Sequence, residues 1–256
     1  MLSTDFSGYL TTLCRFLVGA LIGFTQLGAM RTPFRVCRIK PWIGRGIFGS
    51  LAMTLYYVSI AGGSPGRASL FNNSFPIFVA IIAICFLGEK VLLPTVVGIA
   101  LAFAGVVLVL WDGSAGHPVA DLAGIASGVF AGISYHFNKR ASQSEHPVVI
   151  YLGVCLVGIV FNVFAFPQIL RLDAGQVAIL VLAGLGAYFA QITITIGLRD
   201  IDTTEGSLHT FAKIPLTIVG GWLVFGEAIT VRFIAGTALL LGGIFLSRLS
   251  KTARSA

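Results

Sequence analysis

"SFPIFVAIIAICFLGEK", residues 74–90, is an apolar run with a proline at its third position and a Gly-Glu pair near its end. A related stretch, "KIPLTIVGGWLVFGEA", occupies residues 213–228. Proline lacks an N–H and crowds the carbonyl four residues back, so both runs predict a bent helix. The bends free the carbonyls of Asn72 and Phe211. In hydrocarbon such groups are tolerated only against protein or a water-lined cavity. Each proline therefore marks either a packing kink or a cavity wall. Glycine takes the left-handed conformation that ends a helix, and a glutamate after it lies where the next helix favours negative charge. Pro76, Pro215, Gly88, Glu89, Gly226 and Glu227 thus read as hinges and corners.

The environment of these runs follows from composition. Of 256 residues, 56% are hydrophobic and 11% are charged, against about 25% charged in soluble domains. About 20 apolar residues span a bilayer core. Such stretches recur at 9–30, 42–62, 66–87, 92–111, 119–137, 147–166, 176–198, 203–225 and 231–246. The expected fold is an all-α polytopic membrane bundle of nine helices with short connectors. No soluble domain fits between them. "DGSAGH", residues 112–117, is the joint between two halves.

The net charge of +7 does not point to nucleic acid, because the cations sit in short loops between spans. It sets orientation instead. With "RTPFRVCRIKPWIGR", residues 31–45, taken as cytoplasmic, twelve cations fall inside: Arg31, Arg35, Arg38, Lys40, Arg45, Lys90, Lys139, Arg140, Arg199, Arg248, Lys251 and Arg254. Only Arg67, Arg171 and Arg232 fall outside. The N-terminus is then external and the C-terminus cytoplasmic, in a bacterial cytoplasmic membrane. No basic residue precedes Arg15, so the start does not read as a signal peptide. Cys14, Cys37, Cys85 and Cys155 show no paired spacing, so neither a disulfide framework nor a metal site is expected.

The two opening stretches belong to a longer repeat. Gly88-Glu89 matches Gly226-Glu227 at an offset of 138, and Ser69-Leu70, Gly98 and Gly105 match Ser207-Leu208, Gly236 and Gly243. Pro76 and Pro215 are one residue out of step. An offset spanning five helices inverts each copy. The helix at 119–137 maps before residue 1, so the first half holds four helices and the second five. A further span upstream is expected.

On these residues the chain resembles the EamA-type transporters of the drug/metabolite transporter superfamily. The likeness is most specific in "GRASLFNNSFPIFVAIIAICFLGEKVLLPTVVGIALAFAGVVLVL", from Gly66, and "GSLHTFAKIPLTIVGGWLVFGEAITVRFIAGTALLLGGIFL", from Gly206. It implies ten helices in two inverted five-helix repeats around a central substrate site. It also implies repeats at 1–112, lacking the first helix, and at 118–249, with a cytoplasmic tail at 250–256.

Lys213 is the sharpest candidate for chemistry. It lies about ten residues into its span, or roughly 15 Å at 1.5 Å per residue, too deep for its side chain to reach water at the interface. A wet cavity, a carboxylate or an anionic solute has to offset its cost. His209 lies one turn earlier on the same face. Asn72, Asn73, Tyr56 and Gln191 join them as expected solute-binding residues, the asparagines being equally suited to gluing helices together. Arg15 lies within a turn or two of the outer boundary, within snorkelling reach. Tyr57, Tyr135, His136, Asn162 and Tyr188 are weaker candidates. Gly124, Gly128 and Gly132 form a flat seam for close helix contact. "GGSPG", from Gly62, matches a hydrolase nucleophile pattern, but it turns between two spans where that motif needs a strand before it. No metalloprotease, phosphate-loop or dinucleotide motif is present.

The expected function is a secondary transporter moving a small metabolite or drug-like solute, anionic in one reading, without cofactor or metal. Two rivals stand beside it. One is a non-transporting or partner-dependent membrane subunit; a homodimer is compatible with the transporter itself. The other is an integral-membrane enzyme using His209 or His136.

Overall fold

The structure, a computed structural model, describes residues 7–88, 92–111, 116–216, 219, 223 and 230–255. Among these it is helical, with no strand. The helices are α1 (Gly8–Ala29), α2 (Ile39–Gly62), α3 (Pro65–Asn72), α4 (Phe75–Leu87), α5 (Leu93–Leu110), α6 (Pro118–Ser142), α7 (Pro147–Asn162), α8 (Phe166–Ile169), α9 (Ala174–Gly197), α10 (Thr203–His209) and α11 (Val231–Ser255). Single 3-10 turns occupy Val163–Ala165 and Thr210–Ala212.

Local chemistry sets many boundaries. Ser7 and Ser64 accept from the N–H groups of Leu10 and Arg67 and start α1 and α3. Asp173 and Gln176 form a reciprocal capping box at the head of α9. Prolines open α3, α5, α6 and α7 in the first turn, where the missing N–H costs nothing. Gly88 ends α4 at φ +63°, the left-handed corner expected of it. Glu89, Gly226 and Glu227 lie outside the described residues.

Among the described residues, six spans are long and apolar enough to cross a bilayer: α1, α3 with α4, α5, α6, α7 through α8, and α9. The other three expected spans differ for separate reasons. α2 has the length but carries Lys40 and Arg45. The run from Thr203 passes into residues that are not described. The apolar part of α11 covers Val231–Ser247, and the helix itself continues to Ser255. Residues 250–255, the expected tail, continue this helix.

Each proline-bearing span is broken, where one bent helix was expected. The first breaks at Asn73 and Ser74, between α3 and α4, and Pro76 sits in the first turn of α4. Ser74 Oγ donates to the Phe71 carbonyl at 2.6 Å, satisfying backbone that the break exposes. The second breaks at the 3-10 turn Thr210–Ala212, followed by a helical turn carrying Pro215. Adding 138 to 72 gives 210, so the two breaks share one repeat position.

Two close helix pairs frame the bundle. α5 and α11 cross where Gly98 faces the Gly243 carbonyl, at 2.6 Å from any added Cβ, and Gly105 faces Gly236. The glycines that matched along the sequence thus meet crosswise in space, 98 on 243 and 105 on 236. α2 runs antiparallel to α6, with Gly49 beside Ser134 and Ser59 beside Gly124. Gly124, Gly128 and Gly132 of α6 also seat Phe71, Ser74 and Phe78 of the broken span. The glycine seam therefore holds the break in place.

Candidate functional site: a central polar cavity

α1, α2, α6, α7, α9 and both breaks converge on one internal cavity of about 80 Å³. That is room for several waters. α2 presents Arg45, Gly49, Ala52 and Met53 on one face, at the spacing of a helical stripe. α1 supplies Arg15 and Phe16, α6 Ser134 and Tyr135, α7 Tyr151 and Val154, and α9 Gln191. The breaks supply Asn72 and Phe75 on one side and Thr210 and Lys213 on the other.

Several lining residues are mates at the repeat offset. Adding 138 to 16, 53, 72 and 75 gives 154, 191, 210 and 213. Phe16 and Val154, Met53 and Gln191, Asn72 and Thr210, and Phe75 and Lys213 all line the cavity. The last two mates touch, with Lys213 Nζ 5.9 Å from the centroid of the Phe75 ring. That is cation–π distance. The mates have diverged in chemistry: apolar Met53 and Phe75 face polar Gln191 and charged Lys213.

Three cations line this space: Arg15, Arg45 and Lys213. No carboxylate stands among the lining residues described. Arg45 is buried and donates to Ser134 Oγ at 2.6 Å and to Gln191 Oε1 at 2.7 Å. Arg15 donates to the Tyr57 hydroxyl at 3.1 Å. The Nε atoms of both arginines are buried without an acceptor. Lys213 keeps an exposed surface although it lies ten residues into its span. It lines the cavity and lies near enough to Arg15 to feel its charge.

A cation at mid-bilayer, where Lys213 lies, costs about 2.5–3.5 kcal/mol on insertion scales, and Arg15 and Arg45, nearer the ends of their helices, cost less. Hydrogen bonds to charged groups return about 1.5–3 kcal/mol each. The bonds to Ser134, Gln191 and Tyr57 therefore offset much of the cost. What the arrangement does chemically is hold positive charge, braced by neutral donors and acceptors, in the middle of a membrane bundle.

The expected site residues divide into two groups. Lys213, Asn72 and Gln191 line the cavity. Tyr56, Asn73 and His209 are not among its lining residues. Tyr56 hydrogen-bonds the Ser69 hydroxyl at 3.0 Å and ties α2 to α3. Asn73 donates to the Ser69 carbonyl at 2.8 Å. His209 bonds the Glu205 carbonyl through Nδ1 and faces a separate groove bounded by Gly197 and Gly206. Asn72 also donates to Ser127 of α6 at 3.1 Å, so it does helix gluing as well.

Arg45 is the residue the sequence misplaced. The basic stretch 31–45 puts it on the cytoplasmic side, but α2 begins at Ile39 and carries Arg45 more than a turn inward. Removing it leaves eleven inner cations against three. Its signal was its place between Gly44, Gly46 and Gly49, small residues that let α2 pack closely. Ser134, Tyr151 and Thr210 were also missed, and Arg15 is held in the cavity rather than reaching the boundary.

Both ends of the bundle carry polar contacts between elements. At one end Arg67 pairs with Asp121 at 2.5 Å, joining α3 to α6. At the other, the buried Glu145 carboxylate accepts from the N–H groups of Cys37 and Arg38 at the head of α2. Arg199 donates to the Glu145 carbonyl, and Lys139 Nζ to the carbonyls of Leu198 and Arg199. His146 caps α7 there, its imidazole pKa held below the ordinary value first by burial and then by the Arg199 charge.

Comparison with known proteins gives this architecture relatives. The model of the EamA-like transporter family matches residues 1–111 and 118–249. A riboflavin transporter of Rhizobium johnstonii is 28% identical over 87% of this chain and 73% of its own. A pseudopaline exporter, CntI, of Pseudomonas aeruginosa is 25% identical over 81% of this chain and 74% of its own. An uncharacterized transporter of Archaeoglobus fulgidus is 28% identical over 78% and 74%. A solved crystal structure shares the fold at a TM-score of 0.78 and 20% identity, covering 96% of this chain and 90% of that one. A multi-pass membrane protein and small-solute transporter by these findings, the chain belongs to the EamA-like transporter family.

Proposed function

We propose that this protein is a secondary transporter working by alternating access, with the central cavity as its solute site and Lys213, Arg45, Gln191 and Asn72 as solute-binding residues. One observation carries the reading: the cavity walls are built from residues paired at the 138-residue offset, at the breaks of two mated spans. Inverted repeats that meet at the bilayer midplane with discontinuous helices are the frame on which one half rocks against the other. The contacts of Arg67 with Asp121 and of Glu145 with the head of α2 are suited to closing opposite ends. The relatives named for riboflavin and for pseudopaline are consistent with one frame serving different solutes. The proposed repeats are 1–112 and 118–249, in the orientation with the C-terminus inside. The protein acts as no enzyme in this reading. The test is solute counterflow in liposomes holding the purified chain alone. Uptake of at least one solute from a metabolite panel is expected, and a folded, monodisperse protein that moves none counts against it.

A second reading, dependence on a partner helix, is favoured by the outer face of α9. α9 mates with α2 at the same offset. Phe48 stacks on Phe137 of α6, and Ser59 meets Gly124. Their mates on α9, Gly186 and Gly197, have nothing within 4 Å of an added Cβ among the described residues. A membrane helix from a second copy of the chain, seated there, would repeat the α2–α6 contact. Replacing Gly186 by cysteine tests this: oxidative crosslinking or altered mass in detergent supports a dimer through α9, and a strictly monomeric, fully active protein rules it out.

A further inference from the structure

We infer that the transported solute is a compact dianion, of phosphate or dicarboxylate type, whose two negative charges are met by Arg15 of α1 and Arg45 of α2. The inference rests on the reading of the central cavity as the solute site, and it names the class of solute that site takes.

Four observations converge on it. The first is charge: the side chains that meet the arginines are neutral, Tyr57 and Tyr151 for Arg15 and Ser134 and Gln191 for Arg45. Two guanidinium groups held this way in a low-dielectric setting favour a bound group that brings its own negative charge. The second is directionality. Both Nε atoms are buried and lack an acceptor, so each guanidinium keeps donor capacity in hand. Its fork fits the oxygens of a carboxylate or phosphate. The third is placement. Arg15 and Arg45 come from separate helices, and Tyr151 lies within electrostatic reach of both. A ligand between them touches two elements at once, which suits two anionic oxygens or a doubly charged group better than a single carboxylate. Lys213, on the second break, adds attraction without fixing geometry, as an ammonium does. The fourth is size: a cavity of about 80 Å³ suits a compact anion better than a drug-sized ligand, whose pockets run to about 300 Å³ or more.

The experiment is binding to the purified wild-type protein by calorimetry or thermal shift at mildly alkaline pH. Four probes are used at equal concentration: orthophosphate and succinate as dianions, acetate as monoanion, and glycerol as neutral control. At least one dianion is expected to bind about tenfold or more tightly than acetate, with glycerol giving no signal. Preference for orthophosphate or for succinate decides between the two types. Arg15→Gln and Arg45→Gln are each expected to weaken the dianion about tenfold or more. Arg15→Lys and Arg45→Lys, which keep the buried charge, give the same reading if a glutamine variant fails to fold: they retain binding, weakened by loss of the fork. The inference is overturned if neither dianion binds, if acetate or glycerol binds as well as the dianions, or if folded arginine variants bind like wild type. Failure of the transport reading is separately visible, because a cysteine in the cavity would then react from one side of the membrane only. Two-sided reaction with no dianion binding removes the solute class and leaves the transporter.

Discussion

Arg45→Met is the perturbation that probes the site most sharply. The guanidinium donates to Ser134 at 2.6 Å and to Gln191 at 2.7 Å. Bonds of this charge-assisted kind are worth about 1.5–3 kcal/mol each, so about 3–6 kcal/mol is lost with the side chain. Relief of the cation's burial returns at most about 2.5–3.5 kcal/mol, the helix-centre value. The two nearly cancel, and the variant is expected to be destabilised by about 0–3 kcal/mol and to remain folded. Flux is not protected by that cancellation. If Arg45 meets the solute's charge, its loss removes about 1.5–3 kcal/mol of binding, a drop in affinity of roughly 10–150-fold. Melting in detergent and initial uptake into liposomes, measured on the same preparation, separate the two effects. Arg45→Lys should lie between, keeping charge without the fork. A folded Arg45→Met protein with wild-type uptake and affinity would refute this reasoning.

Four further outcomes follow from the same geometry. Lys213→Met should lose flux while remaining folded, and Lys213→Arg should keep flux with altered affinity; Lys213→Met that is folded and fully active would remove the residue from the site. Gly105→Leu should destabilise by at least the 1–3 kcal/mol typical of overpacking, about the same as Gly243→Leu, because α5 and α11 touch through these glycines; a normal melting temperature for either would contradict the crossing. His146 favours its neutral form when folded, its pKa lying below the ordinary value of 6.5. Its contribution is therefore present above that value and lost as pH falls through the lower folded pKa, and His146→Asn should flatten this part of the acid melting profile while keeping a cap on α7. Thr32→Cys should label from the cytoplasmic side and Arg171→Cys from outside, checked with an impermeant thiol reagent; the reverse pattern would invert the orientation.

Much of the fold was legible because bilayer physics leaves few options. Apolar runs near 20 residues, glycine corners and cation-rich loops placed most helices within a few residues. The matched glycines at 98, 105, 236 and 243 marked the repeat, and the seam of Gly124, Gly128 and Gly132 marked a close contact; that the matched glycines also meet crosswise shows only in three dimensions. The site was harder to read, for a physical reason. Hydropathy judges a residue by its neighbours along the chain, whereas cavity lining depends on which face of the helix it occupies. Lys213 stood out because its depth left no route to water. Arg45 did not, because it lies near a basic loop and the sequence pattern could not show that α2 begins earlier and turns that face inward. His209 misled in the opposite way: it shares a helix and a turn with Lys213, but the 3-10 turn at Thr210–Ala212 rotates it into another groove. A break that changes helical phase is invisible to spacing arguments built on a regular helix.

The central claim is that one cavity is exposed alternately to the two sides of the membrane. Thr210→Cys, placed on the cavity wall at the second break in a protein with Cys14, Cys37, Cys85 and Cys155 replaced, tests it without knowledge of the solute. The protein is reconstituted in one orientation, and a small membrane-impermeant anionic thiol reagent is added outside or trapped inside. The account predicts reaction from both sides, each slower than at an exposed loop cysteine, with no leak of the reagent across the membrane. Reaction from one side only, or from neither, would contradict it.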